Sequence, residues 1–116
     1  MPRNMSFALT IEQFKARTQT VTRRLGWYFL KPGDIVCGVE KTQGLKLGEK
    51  LRPLGYIRII SIRREPLNII TQEDVTAEGF PNLTVDEFVA MLVSHYKVTP
   101  DRFFNRIEFE HLEDDK

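Results

Sequence analysis

Polar and apolar residues follow two periods along this chain, and the switches between them mark its elements. Residues 104–112 alternate. Ile107 and Phe109 fall on one face and Glu108 and Glu110 on the other, which predicts a half-buried closing strand. The β-branched residues of Thr18–Arg24 alternate as well and predict an extended segment. Two further strands are predicted over 35–41 and over the Ile-rich stretch 55–64, on either side of a basic, Gly-punctuated loop at about 42–54. Lys31-Pro32-Gly33-Asp34 is a tight turn into the first of them, because Pro presets φ and Gly supplies a positive φ.

The other period is helical. Residues 10–17 predict a short helix, with Thr10 and Gln13 spaced as a capping box and Ile11 and Phe14 on one face. Thr71 caps a second short helix, with acids in its first turn, and Gly79 ends it as a left-handed cap. Thr84 and Glu87 form another capping box. The helix behind it places Val85, Phe88, Val89, Leu92 and Tyr96 on one face, with Pro100 beyond its end. Residues 1–6 and 113–116 read as frayed ends. The order is helix, short strand, two longer strands, two helices, closing strand. It predicts an α+β domain over 1–116, its core at about 6–112, built as a small mixed barrel with helices plugging its ends.

Composition narrows the class. At 116 residues the chain is one domain's length, and 41% hydrophobic with 28% charged residues excludes a mostly disordered protein. No run approaches the ~20 apolar residues of a membrane span, and Met1–Thr10 lacks the apolar core of a secretory signal. A cytoplasmic location is the expectation, and the single cysteine, Cys37, suits it. Cys37 lies in Ile35-Val36-Cys37-Gly38-Val39 and reads as a small buried hydrophobe. No Cys/His/Asp cluster has metal-ligand spacing, no Gly-rich phosphate loop follows a strand, and no Gly-x-Ser-x-Gly elbow is present. Neither metal nor cofactor is expected.

The formal charge is only +1, but it is unevenly distributed. Residues 1–64 carry thirteen Lys/Arg against four Asp/Glu, a net +9, and residues 65–116 carry four against twelve, a net −8. Such a split fits a polyanion-binding face, or two halves that fold together and interleave their charges. Lys46, Lys50, Arg52, Arg58, Arg63 and Arg64 could track a phosphate backbone, or merely keep an edge strand soluble. By strand parity Arg58 shares a face with Arg64, and Arg63 takes the other. Trp27, Tyr28 and Phe29 are either core or a stacking platform for an unpaired base, with Trp27 the first choice for partial exposure.

Thr20, Thr22 and Arg24 share one parity, so two hydroxyls and a guanidinium can face one cleft, where Arg24 would bind a phosphate or carboxylate bidentately. Arg23 then points to the opposite face. Arg24 could instead be a structural ion-pair partner of Glu78 or Asp34. Glu78 stands at the negative end of a helix, a poor electrostatic place for a carboxylate and weak grounds for a role.

The ordered series Thr20-x-Thr22-x-Arg24, Pro32-Gly33-Asp34 before a strand, an Ile-rich strand, Glu78-Gly79-Phe80 and Arg106-x-x-Phe109 resembles the ASCH domain, a branch of the PUA-like superfamily. The resemblance spans roughly residues 6–110. It implies a PUA-like β-barrel of about five or six strands with two or three flanking helices. Between barrel and helices it implies a cleft for RNA or a nucleotide-like ligand. Some bacterial members hydrolyse the amide of acetylcytidine, and at least one type cuts RNA. By that resemblance Thr22 and Glu78 match catalytic positions, Glu78 as general acid/base. The lysine of the amidohydrolase motif is replaced by Gln19, which carries no charge, so the catalytic set is incomplete. Lys41 is the candidate to enter the cleft in its stead.

The expected function is therefore binding of RNA or a nucleotide-like small molecule. Gln19, Thr20, Arg24, Lys41, Arg58, Arg63 and Arg64 would be the ligand contacts. A hydrolase or ribonuclease using Thr22 and Glu78 is the alternative, and a protein adaptor is a third. No membrane partner is expected, and the oligomeric state is left open.

Overall fold

The closing strand is the spine of the molecule. A computed structural model describes residues 3–42, 47–50 and 52–113. Its strands are β1 (Arg3–Ser6), β2 (Val21–Arg24), β3 (Ile35–Val39), β4 (Pro53–Pro66) and β5 (Phe103–His111). Its helices are α1 (Ile11–Lys15), α2 (Gln72–Ala77) and α3 (Val85–Tyr96), with 3-10 turns at Ala8–Thr10 and Leu67–Ile69. The strands form one curled half-barrel sheet in the order β1-β3-β4-β5-β2, so the α+β barrel-like architecture expected from the element order is the one observed. β1 runs parallel to β3, while the other neighbours are antiparallel.

β5 pairs with β4 on one side and β2 on the other. Its inward residues Ile107 and Phe109 join Met5, Phe7, Phe14, Leu30, Val36, Ile57 and Ile59 in the main core. A second core lies under the helices, from Leu67, Ile70, Val75, Phe88, Leu92 and Phe104. Gly38 is fixed by packing. A Cβ there would stand 2.4 Å from Cζ of Phe14, so only glycine lets α1 lie this close to β3.

The capping signals hold at α2 and α3. Thr71 accepts from the Asp74 amide, and Thr84 and Glu87 make the reciprocal box. Gly79 adopts φ +104° behind α2, the left-handed cap expected of it. At α1 the cap fails. The chain enters the helix from the Ala8–Thr10 turn, and the buried Thr10 side chain makes no capping bond.

Other expectations need correction. Residues 3–6 are not frayed. They are paired with β3, and Met5 is wholly buried, because its side chain fills the main core. β4 is longer than its Ile-rich stretch and carries a bulge: Ile59 opposes Phe109, Ser61 opposes Glu108, and Ile60 has no partner. The extra residue reverses parity, so Arg58 shares its face with Arg63 rather than Arg64. Trp27 packs against the main core, while Tyr28 and Phe29 are the exposed members of the aromatic trio. Lys46 of the basic loop and residues 114–116 of the expected frayed end lie outside the described residues.

Candidate functional site

A cavity of about 410 Å³ opens between the sheet and α3. β2 and the residues just before it supply Gln19, Thr22, Arg23 and Arg24, and Glu78 enters from the end of α2. Phe80, Phe88, Met91 and Leu92 form an apolar wall, with Tyr96 and His95 at the end of α3. Phe7 and Leu9 border the cavity from the segment after β1, and Lys41 borders it from the segment after β3.

The two adjacent arginines have opposite fates. Arg23 is completely buried and binds three carboxylates, Glu65 at 2.6 Å, Asp74 at 2.8 Å and Glu78 at 3.1 Å. Asp74 is also held by Arg106 at 2.7 and 3.1 Å, and Glu65 by Arg63 at 2.7 Å. Arg23, Arg106 and Arg63 stand opposite one another on β2, β5 and β4. Asp74 and Glu78 stitch Arg23 to α2 and its end, Asp74 also holds Arg106, and Glu65 of β4 joins Arg23 to Arg63 within the sheet. Burial opposes the Arg23 charge, yet Glu78, Asp74 and Glu65 together hold its pKa above the ordinary value.

Arg24 has no such partner. Among the described residues no carboxylate lies within ion-pair distance of it. Its Nε donates to Thr22 Oγ1 at 3.0 Å, and its guanidinium lies 4.8 Å from the centroid of the Phe7 ring. Burial pulls its pKa down, against the opposing influence of Tyr96 and Glu78. The alternative reading of Arg24 as an ion-pair partner of Glu78 fails: Arg23 makes that pair, because Arg23 points toward α2 and Arg24 away from it.

Glu78 is buried, and its pKa is raised to about 7. Burial outweighs the pull of Arg23 and Arg24, and Asp74 adds to the rise. Near neutral pH this carboxyl can therefore give or take a proton. Gln19 is 2% exposed. Its Nε2 donates to the Val21 carbonyl at 3.2 Å, while its Oε1 is buried without a hydrogen-bond partner, as is Arg23 Nε. The Gln19 carbonyl accepts from Nε2 of His111 at 2.7 Å, and burial holds the His111 pKa below its usual value.

Of the expected contacts, Gln19, Thr22, Arg24, Lys41 and Glu78 border this one cavity. Thr20 does not. Its amide donates to the Ala77 carbonyl and its own carbonyl accepts from the Phe109 amide, which turns the side chain to solvent. The β2 ladder starts only at Val21, so strand parity did not extend back to Thr20, and Gln19 fills the place instead. Arg58, Arg63 and Arg64 also lie elsewhere. Arg58 pairs with Glu110 at 3.1 Å, Arg63 with Glu65, and Arg64 lies over the Phe103 ring. They belong to the sheet surface, not to the cleft. Lys41 Nζ is 3.7 Å from Glu49, and its side chain is partly exposed.

The sequence reading missed the α3 wall and the polar groups at the C-terminal end of that helix, His95 and Tyr96. Phe88, Leu92 and Tyr96 were read as core alone, although a helix carrying both core and cavity residues needs a wider apolar stripe. Met91 and His95, just beside the stripe, were the available signal. Among the described residues no group of His, Cys, Asp and Glu could hold a metal ion, and no helix is long and apolar enough to cross a membrane.

No family model and no curated protein matches the sequence. The fold does have relatives among solved structures. A protein of Enterococcus faecalis V583, described under the family model DUF984, superposes with a TM-score of 0.63 at 17% identity, over 97% of this chain and 80% of its own. An ASCH domain from Lactobacillus crispatus JV V101 superposes with a TM-score of 0.61 at 11% identity, over 94% of this chain and 78% of its own. The chain therefore has the ASCH fold.

Proposed function

We propose that this protein binds a nucleotide-like small molecule in the cavity between sheet and α3. The observation that carries the reading is Arg24, a cavity arginine without an ion-pair partner among the described residues, set beside Thr22, Gln19 and Glu78. An arginine kept partly out of water without a counter-ion is costly unless a ligand supplies one. A cavity that joins an apolar stretch, Phe80, Phe88, Met91 and Leu92, to a set of polar side chains can take a ring and fix its polar groups, as small-ligand sites do. A single nucleotide is favoured over an RNA strand because Arg23, Arg58 and Arg63 spend their charge on carboxylates of the acidic half. A strand needs a track of free cations.

The test is binding of nucleosides, nucleoside monophosphates and short single-stranded RNA, followed by calorimetry and by chemical-shift changes at α3. Monomers should bind and perturb α3. Met91→Trp, which fills the cavity, should abolish that binding. Binding that survives Met91→Trp, or binding of the strand alone, overturns the reading.

A second reading, an amide hydrolase acting on an acylated nucleoside, is favoured by Lys41. Lys41 borders the same cavity as Gln19 and would bring the ammonium that Gln19 lacks. There Thr22 would attack or orient water and Glu78 would transfer the proton. Acetate release from acetylcytidine, lost in Lys41→Met and in Thr22→Val, would establish it in place of simple binding. The binding reading expects no release.

A further inference from the structure

The charges around the cavity define what its occupant must bring, taking as given the proposal that this cavity is the ligand site. Arg23 is neutralised by Glu65, Asp74 and Glu78. Lys41 sits 3.7 Å from Glu49 with much of its side chain in water. Arg24 remains. Its Nε is taken by Thr22, so the two Nη groups are the donors left over, and Phe7 beneath the guanidinium fixes its plane. A planar fork with its paired Nη donors free is the geometry that grips one compact oxyanion. Glu78 stands close enough for its charge to be felt at Arg24 and disfavours a second negative group beside it. The lining also carries an apolar stretch, Phe80, Phe88, Met91 and Leu92, while Ser6, Thr10, Thr42, His95 and Tyr96 add polar groups around it.

We infer that the occupant is a free small molecule made of a ring system and one terminal oxyanion. The oxyanion, a carboxylate or a phosphate monoester, is gripped by Arg24 while the ring lies on the α3 wall. An internal nucleotide of a strand does not fit this description, because it carries a phosphodiester on both sides and the cavity offers one unpaired guanidinium among the described residues. The anion also completes Arg24, whose charge has no ion-pair partner among the described residues.

Titration calorimetry at low salt with the full chain tests this, using cytidine, cytidine 5′-monophosphate, a pyrimidine carboxylate and inorganic phosphate. A charge-assisted contact of this kind should make the two ring-bearing anions bind about 10- to 100-fold more tightly than cytidine. Inorganic phosphate, lacking the ring, should bind more weakly than either. The two anionic arms separate the phosphate source from the carboxylate source. In Arg24→Gln the ratio of anion to cytidine affinity should collapse to about one, and Arg24→Lys should recover it only in part, with melting temperature confirming that both variants fold. Equal affinity for cytidine and the anions in the wild type overturns the inference while leaving the cavity as the ligand site. So does a ratio that survives Arg24→Gln. Absence of binding by every probe overturns the binding proposal itself.

Discussion

Arg23 and Arg24 are neighbours on one four-residue strand, and the fold treats them as opposites. On one side of β2, three carboxylates close around Arg23, and Asp74 locks Arg23 and Arg106 to α2. On the other side, among the described residues, Arg24 holds only a threonine hydroxyl and the face of a phenylalanine. The first arrangement is closed, since every charge has its counter-charge. The second is open, since the counter-charge is left to come from outside. The pair shows that an arginine's role follows from which carboxylates can reach it, a property of the tertiary fold that residue type does not reveal.

The contrast is broken most directly at Arg23. Arg23→Met leaves Glu65, Asp74 and Glu78 without their shared partner and should cost ~3–5 kcal/mol of stability in chemical denaturation. A loss below about 1 kcal/mol would show that the network is dispensable.

Next in size is the pH response. The folded pKa of Glu78, about 7, lies above its ordinary value of 4.5, so the folded state binds this proton more tightly than the unfolded chain does. Its contribution is full below pH 4.5 and fades as the pH rises through 7, an effect on the order of 3 kcal/mol. Asp74 acts oppositely. Bonds from Arg106, then Arg23, hold its pKa down to about 2, so its contribution is lost as the pH falls toward that value. Stability measured by denaturation should therefore peak on the acid side of neutrality, near pH ~5. Glu78→Gln should flatten the slope between pH ~5 and ~8. An unchanged slope in that variant would assign the response to another group.

Arg24→Gln should cost no more than ~1 kcal/mol, because one hydrogen bond and one ring contact are lost while a buried charge without a counter-ion is removed. A penalty as large as that of Arg23→Met would make Arg24 structural and erase the contrast. Smallest of all, Arg63→Ala should change stability by less than ~0.5 kcal/mol. The Arg63 side chain lies mostly in water, and the buried Glu65 keeps Arg23.

The elements set by local chemistry were legible in the sequence. The α3 box needs only Thr84 and Glu87, the α2 end needs only Gly79, and the alternation of Ile107 and Phe109 identifies β5 without knowledge of its neighbours. Thr22, Arg24 and Glu78 were placed in one cleft by parity and by resemblance, and they do share one cavity. What stayed hidden depends on long-range geometry. The Arg23 hub joins residues 42 to 55 positions away, and no local pattern announces it. Thr20 was misplaced because the ladder begins only at Val21, although the alternation starts at Thr18. Arg58 and Arg64 were grouped together because a bulge has no periodic signature.

That bulge divides β4 into two reading frames. Up to Ile59 one parity of residue numbers faces the core, and from Ser61 onward the other does. Ile60 is the comma between them. An insertion or deletion elsewhere in the strand would exchange inside for outside along one half, sending Ile57 or Ile62 outward and charge inward. Loss of Ile60 alone would leave both frames in phase and remove only the local kink. Length variation along this strand is therefore confined to a single position, while the identity of the residue at that half-exposed position is comparatively free.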